Sequence, residues 1–83
     1  MGQTRRQQPK GLARKLLAIR QELGVSQTEM AKLLRLRSAY TTISGFERGV
    51  REPALPILLT YARLVGISTD VLIDDKLSLP WEV

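Results

Sequence analysis

The sequence predicts an all-α fold, a small bundle of five short helices. Three observations support this prediction. Apolar residues recur at intervals of three and four positions, for example at Leu12, Leu16, Ile19 and Leu23, which places them on one face of a helix. No segment shows the apolar–polar alternation of a half-buried strand. Glycines follow several of the periodic segments, as is typical of helix C-termini.

The first two helices are predicted over residues 11–23 and 26–34. Gly24 ends the first, because glycine readily adopts the left-handed conformation that follows many helices. Ser26 caps the second, and Glu29, three residues later, completes a capping box. The residues of these helices expected to face the core are Leu12, Leu16, Ile19, Leu23, Met30, Ala31 and Leu34.

The remaining helices are predicted over residues 39–48, over residues 55–65 and after Ser68. Ser38 is the expected N-cap of the third, and Leu36 is the apolar residue of the turn before it. Pro53 and Pro56 flank the start of the fourth, where a missing N–H removes no helical hydrogen bond. The expected inward residues are Ile43, Phe46, Leu55, Leu58, Leu59, Ala62, Val65, Val71 and Leu72.

Two flanking segments enclose a domain predicted at residues 11–74. Residues 1–10 show no apolar periodicity and are interpreted as a disordered basic arm. The C-terminal tail, residues 75–83, is unusually apolar and contains Leu77, Leu79 and Trp81. We expect the tail either to fold back on the bundle or to take part in a dimer contact.

The composition argues against several classes of protein. The 83 residues are enough for one small domain and include neither cysteine nor histidine. The commonest general base and the commonest metal ligands are therefore missing, so we expect no enzyme, no catalytic residues, no cofactor and no metal. No apolar run approaches the ~18 residues of a membrane span, and the first ten residues lack a signal-peptide core. These features predict a cytoplasmic protein that does not contact a membrane.

Charge is distributed unevenly along the chain. Residues 1–52 carry a net charge of +7, whereas residues 53–83 carry −2. This imbalance is typical of a protein that presents one basic side to a polyanion. An ordinary solvated basic surface explains the charge equally well, so charge alone does not decide.

Two segments carry a specific motif. Residues 23–31 read Leu-Gly-Val-Ser-Gln-Thr-Glu-Met-Ala, and residues 43–53 read Ile-Ser-Gly-Phe-Glu-Arg-Gly-Val-Arg-Glu-Pro. With Leu55, Leu58, Ala62 and residues 66–67, they resemble the Cro/C1-type (XRE family) helix-turn-helix repressors over about residues 12–73. The resemblance implies a lambda-repressor-like bundle with a helix-turn-helix. It also implies a sequence-specific, double-stranded DNA-binding transcriptional regulator, most often a repressor acting as a homodimer.

The chain departs from the family pattern in one place. Ala31 and Ile43 are twelve positions apart, where the family usually has ten, and the glycine usual in that turn is missing. Either the second helix is longer by half a turn or the connection is longer. The orientation of the third helix depends on which alternative holds.

Eight residues are expected to contact DNA. Gln27, at the start of the second helix, is expected to meet a phosphate, because a helix N-terminus attracts anions; its alternative is an exposed glutamine. Gly45 lies where family members often carry a base-contacting side chain, and here it is expected to permit close approach of DNA. The expected DNA contacts are Gln27, Arg37, Ser38, Tyr40, Thr41, Ser44, Arg48 and Arg51.

These contacts divide by their expected partners. Ser38, Tyr40, Thr41 and Ser44 face base edges from the third helix, with a packing role as the alternative for Tyr40. Because that helix has no Asn or Gln, bidentate readout of guanine or adenine would fall to Arg37 or Arg48. By the same resemblance, Arg48 and Arg51 contact the sugar–phosphate backbone. Arg35 and Arg37 in the longer turn are further candidates for such contacts, with a merely solvated side chain as the alternative.

A last pair is expected to be structural. The resemblance places Arg20 and Glu47 in a buried ion pair between the first and third helices. Two alternative functions stay open. One is an antitoxin that binds DNA and a toxin, suggested by the apolar tail, and the other is a protein-interaction adaptor without DNA binding, suggested by the longer turn and by Gly45. Arg5, Arg6 and Lys10 in the arm are expected to be solvated, with entry into a minor groove as the alternative.

Overall fold

A computed structural model describes residues 8–37 and 40–82 and confirms the all-α prediction for this part of the chain. Each predicted helix end lies within one residue of the observed one. Among the described residues, no helix combines the length and apolarity needed to cross a membrane. The helices are α1 (Leu12–Leu23), α2 (Gln27–Leu33), α3 (Tyr40–Arg48), α4 (Leu55–Leu64) and α5 (Thr69–Ile73), followed by a 3₁₀ turn at Pro80–Glu82.

The core lies where all five helices meet. Helix α3 packs against α1 and α2, whereas α5 packs against α1 and α4, so α1 belongs to both groups. Each helix contributes a stripe of apolar side chains, which excludes water from the centre and supplies the main stabilising term. The buried apolar residues are Leu12, Leu16, Ile19, Met30, Ala31, Leu34, Ile43, Phe46, Leu58, Tyr61, Ala62, Leu72 and Leu79.

Two inward predictions on α4 are wrong. Leu55 is 66% exposed and Leu59 is 39% exposed, whereas Tyr61 is fully buried in their place. Helix α4 is apolar almost all round, so its periodicity does not identify a single inward face. The buried stripe runs through Leu58, Tyr61 and Ala62, at the i, i+3 and i+4 spacing of one helical face.

A buried lysine links α1 to α5. Lys15 is only 2% exposed, and its Nζ donates hydrogen bonds to the carbonyls of Val71 (2.7 Å) and Asp74 (3.1 Å). These carbonyls belong to the C-terminal end of α5, where the helix dipole favours a cation. The charge is therefore paired with the carbonyl groups at the end of a helix.

The ends of α2 explain how the longer connection is accommodated. At its start, the Ser26 hydroxyl accepts from the Glu29 N–H (3.0 Å) and Glu29 Oε1 accepts from the Ser26 N–H (2.8 Å), so the capping box is confirmed. At its end, Arg35 has φ +58°. The Arg35 and Leu36 N–H groups donate to the carbonyls of residues 32 and 31, which is the Schellman pattern.

Arg35 thus adopts the left-handed conformation that Gly24, Gly49 and Gly66 adopt at the ends of α1, α3 and α4. Helix α2 is not lengthened, since it ends at Leu33, and the two extra residues lie in the connection to α3. The N-cap role predicted for Ser38 falls outside the described residues.

The C-terminal tail packs against α1. Leu79 is fully buried, and the Arg14 guanidinium lies 2.8 Å from the Glu82 carboxylate. The Asp75 carboxylate accepts from the N–H groups of Lys10 (2.8 Å) and Gly11 (2.9 Å), just before α1 begins. Fold-back is therefore the arrangement in this structure, and it also engages Lys10, the last residue of the expected arm, and Gly11.

Candidate nucleic-acid interface

A buried ion pair joins α1 to α3. Arg20 Nε donates to Glu47 Oε2 at 2.7 Å, and a second guanidinium nitrogen donates to Glu47 Oε1 at 3.1 Å. The third nitrogen donates to the Val25 carbonyl at 3.0 Å, in the turn before α2. The hydrogen bond that Arg20 donates to the Glu47 carboxylate raises the pKa of Arg20. This geometry fixes the angle between α1, α3 and the start of α2.

Gln27 extends this network. Its Nε2 donates to Glu47 Oε1 at 3.1 Å, so the first residue of α2 is tied directly to α3. The side chain is half-buried, whereas the alternative considered for it was an exposed glutamine. An amide has two N–H donors and an acceptor oxygen, so this bond leaves capacity for a phosphate. Gln27 therefore orients α3 relative to the N-terminal end of α2.

The outward face of α3 presents a ridge of polar side chains. Tyr40 is 53% exposed, so about half of its surface is available to a ligand. Thr41 and Arg48 are also exposed, and Ser44 between them is partly exposed. Arg48 Nε donates to Ser44 Oγ at 3.2 Å, one helical turn away. These four residues share one side of α3, opposite the buried Ile43 and Phe46.

The residues before α3 are described only in part. Arg37 is exposed in the connection between α2 and α3. Ser38, the remaining predicted contact, lies outside the described residues. The structure therefore brings Tyr40, Thr41, Ser44 and Arg48 together on one ridge and leaves Arg37 on the neighbouring loop.

Arg51 occupies a site that the sequence analysis did not anticipate. Its side chain returns to α3, where a guanidinium nitrogen donates to Thr42 Oγ1 at 3.2 Å. The stem lies on Gly45: a Cβ added there would be 2.7 Å from Arg51 Cδ and 2.9 Å from Cγ. Gly45 is buried, so the expectation that it admits DNA is wrong, because the chain's own arginine fills that space.

Thr42 is the functional candidate that the sequence analysis missed. It is 8% exposed and lies between the outward ridge and the core. Its spacing of three positions from Gly45 is the signal that places both on one side of α3. The same spacing occurs by chance in many helices, so it identifies Thr42 only once the fold of the turn after α3 is known.

Comparison with known proteins agrees with this geometry. A helix-turn-helix family model matches residues 16–72, more than half of the chain. No curated protein matches. The class defined by the fold and the α2–α3 arrangement is therefore a helix-turn-helix protein, and this chain belongs to the Cro/C1-type (XRE) helix-turn-helix family, whose members are DNA-binding transcription regulators.

Three solved structures are similar to this chain, each at 25% sequence identity. The P22 c2 repressor, in complex with a synthetic operator, has a TM-score of 0.67 over 77% of this chain and 94% of its own. The SinR–SinI protein complex has a TM-score of 0.67, covering 86% of this chain and 71% of the other. A hypothetical transcription factor from Neisseria has a TM-score of 0.63 and covers 86% of both chains.

Proposed function

We propose that this protein is a sequence-specific, double-stranded DNA-binding repressor that acts as a homodimer in the cytoplasm, without enzymatic activity or a cofactor. The observation that supports this most strongly is the polar ridge of Tyr40, Thr41, Ser44 and Arg48 on α3. A helix with such a ridge fits the major groove and can read base edges. The operator-bound P22 c2 repressor, a similar structure, makes DNA the natural ligand of this ridge.

Positively charged and amide side chains beside the ridge would bind the DNA backbone. Gln27 lies at the N-terminus of α2, and Arg51 follows α3 directly in the chain. Arg37 is exposed in the connection that precedes α3. Contacts of this kind orient the protein on the duplex but carry no sequence information. Specificity would therefore come mainly from the ridge on α3.

The homodimer is supported by an exposed apolar surface. Leu55, Leu59 and Ile73 on α4 and α5 are 39–66% exposed. Leu55 and Ile73 line a groove with Pro9 and Pro53. Burying this surface between two copies would remove apolar area from water. Two copies would then read half-sites about 34 Å apart on one face of the duplex.

Both alternative functions are less well supported once the structure is known. The antitoxin alternative relied on the apolar tail as a surface for a toxin, yet Leu79 is fully buried within this chain, which leaves Leu77 and Trp81 as the exposed large apolar side chains of the described tail. The adaptor alternative relied on the longer turn and on Gly45. Gly45 accommodates Arg51, and the longer turn leaves α2 capped and ended in a regular way.

Selection of bound duplexes from a random pool of about 30 base pairs tests the proposal, repeated at two salt concentrations. We expect enrichment of an inverted repeat with half-sites one helical turn apart. Ser44→Ala and Arg48→Ala should lose affinity for the enriched duplex, whereas Lys76→Ala, which removes an exposed charge from the tail, should not. Binding that weakens with salt but enriches no sequence would contradict specific recognition and leave only phosphate contacts.

A further inference from the structure

We propose that Gly45, because it has no side chain, leaves room for the Arg51 stem and so positions Arg51 for a DNA phosphate. Thr42 holds the guanidinium in place. The inference rests on the proposed DNA binding and adds a positioning role for Gly45 and Thr42, neither of which would touch DNA. Arg51 is the residue that would contact the phosphate. The position of Arg51 would depend on the absence of a side chain at Gly45, six positions earlier in the chain.

Gly45 is an unexpected residue for its place. It lies inside α3, where glycine is less favourable than any residue except proline. Its φ is not positive, so no left-handed conformation requires glycine there. The distances give the reason instead: carbon atoms pack at about 3.5–4.0 Å, and an added Cβ would be 2.7 Å from Arg51 Cδ and 2.9 Å from Cγ. Any other residue would displace the arginine stem.

The backbone brings Arg51 to the same place. Gly49, with φ +76°, reverses the chain at the end of α3. The N–H groups of Val50 and Arg51 then donate to the Gly45 carbonyl at 3.1 and 3.2 Å. Gly45 therefore positions Arg51 in two ways. Its carbonyl oxygen accepts from the Arg51 N–H, and its lack of a Cβ leaves room for the Arg51 stem.

The held arginine keeps most of its binding capacity. A guanidinium has five N–H donors, and the bond to Thr42 Oγ1 uses one of them. Arg51 is exposed although its stem is packed, so its remaining donors are accessible to a ligand. A long side chain that is already ordered loses less conformational entropy when it binds. A phosphate is the matching ligand, since arginine forms paired hydrogen bonds with its oxygens.

A double-mutant cycle on the enriched duplex tests the inference. Arg51→Ala should weaken binding about tenfold and reduce the slope of log affinity against log salt by about one. Gly45→Ala should produce a similar loss and the same change in slope although it retains Arg51. The double variant should be no weaker than Arg51→Ala alone, because both changes remove one contact. Thr42→Val, which keeps the shape but removes the hydroxyl, should fall between wild type and Arg51→Ala.

Additive effects of the two substitutions, or a Gly45→Ala protein with wild-type affinity and salt slope, would overturn the inference. Thermal unfolding provides a readout that does not need DNA. Gly45→Ala should lower Tm when Arg51 is present and raise it in the Arg51→Ala background, where only helix propensity acts. A wild-type protein that binds no duplex would instead overturn the proposed function. The unfolding measurements would still test the packing of Arg51 on Gly45.

Discussion

The guanidinium of Arg20 and the carboxylate of Glu47 are 2.7 Å apart and nearly excluded from water, with side-chain exposures of 18% and 5%. We expect Arg20→Ala to lower the free energy of unfolding by about 3–5 kcal/mol, because it leaves the Glu47 charge buried without its partner. Urea denaturation measures this loss. Arg14→Ala is the matched control on the same helix: its pair with Glu82 is 59% exposed at Arg14, so its loss should be about 0–1 kcal/mol. Equal losses for the two variants would contradict a structural role for Arg20.

A second prediction concerns the hydroxyl of Tyr61, which is buried without a hydrogen-bond partner among the described residues. Burial, followed by the nearby charge of Glu47, raises the pKa of this phenol. Tyr61→Phe keeps the ring and removes an unsatisfied polar group, so we expect unchanged stability or a gain of up to about 1 kcal/mol. Tyr61→Ala should cost about 3–5 kcal/mol by leaving a cavity. A clear loss of stability in Tyr61→Phe would show that the hydroxyl is hydrogen-bonded in solution.

The third prediction tests the left-handed residue that ends α2. Arg35 has φ +58°, a conformation that costs an L-residue about 1–2 kcal/mol, whereas glycine loses more backbone entropy on folding. We therefore expect Arg35→Gly to stabilise the protein by about 0.5–1 kcal/mol. Gly66→Ala is the reverse experiment, since Gly66 has φ +70° and an added Cβ would meet nothing within 4 Å. Gly66→Ala should destabilise the protein by a similar amount. Thermal unfolding of both variants measures the two changes in stability.

The helices and most of the core could be predicted from the sequence, because both depend on local signals. The Ser26–Glu29 capping box lies within four residues, and the stripe of Leu12, Leu16 and Ile19 lies within one helix. Such signals act through backbone geometry that is the same in any fold. The polar ridge on α3 was predictable for the same reason, once Ile43 and Phe46 defined the inward side.

The features that could not be predicted depend on contacts between distant segments. Lys15 is buried because the carbonyl of Val71, 56 positions later, accepts from it. The choice of Tyr61 over Leu55 depends on which elements cover each part of α4, and the apolar pattern of that helix does not specify this. Gly45 has a role only because the turn after α3 returns Arg51 to it. Each case needs the tertiary fold before the local sequence can be interpreted.

The last prediction concerns acid stability and the Asp75 carboxylate. Hydrogen bonds from the N–H groups of Gly11 and then Lys10 lower the pKa of Asp75 below its ordinary value. A carboxyl whose pKa is lower in the folded state stabilises the protein above its unfolded pKa of about 4, and this contribution disappears as the pH falls through the folded pKa.

We therefore expect Asp75→Asn to have a lower Tm than wild type at pH 7, with the two Tm values converging as the pH falls below about 4. At low pH the protonated carboxyl of the wild type and the amide of the variant are both uncharged, so they accept similar hydrogen bonds from the N–H groups before α1. Glu29→Gln should behave in the same way, since the Ser26 N–H lowers the pKa of Glu29. Thermal unfolding between pH 3 and pH 7 provides the measurement. A difference in Tm that stays constant over this range would mean that the Asp75 carboxylate adds no charge-dependent stability to the junction between the tail and α1.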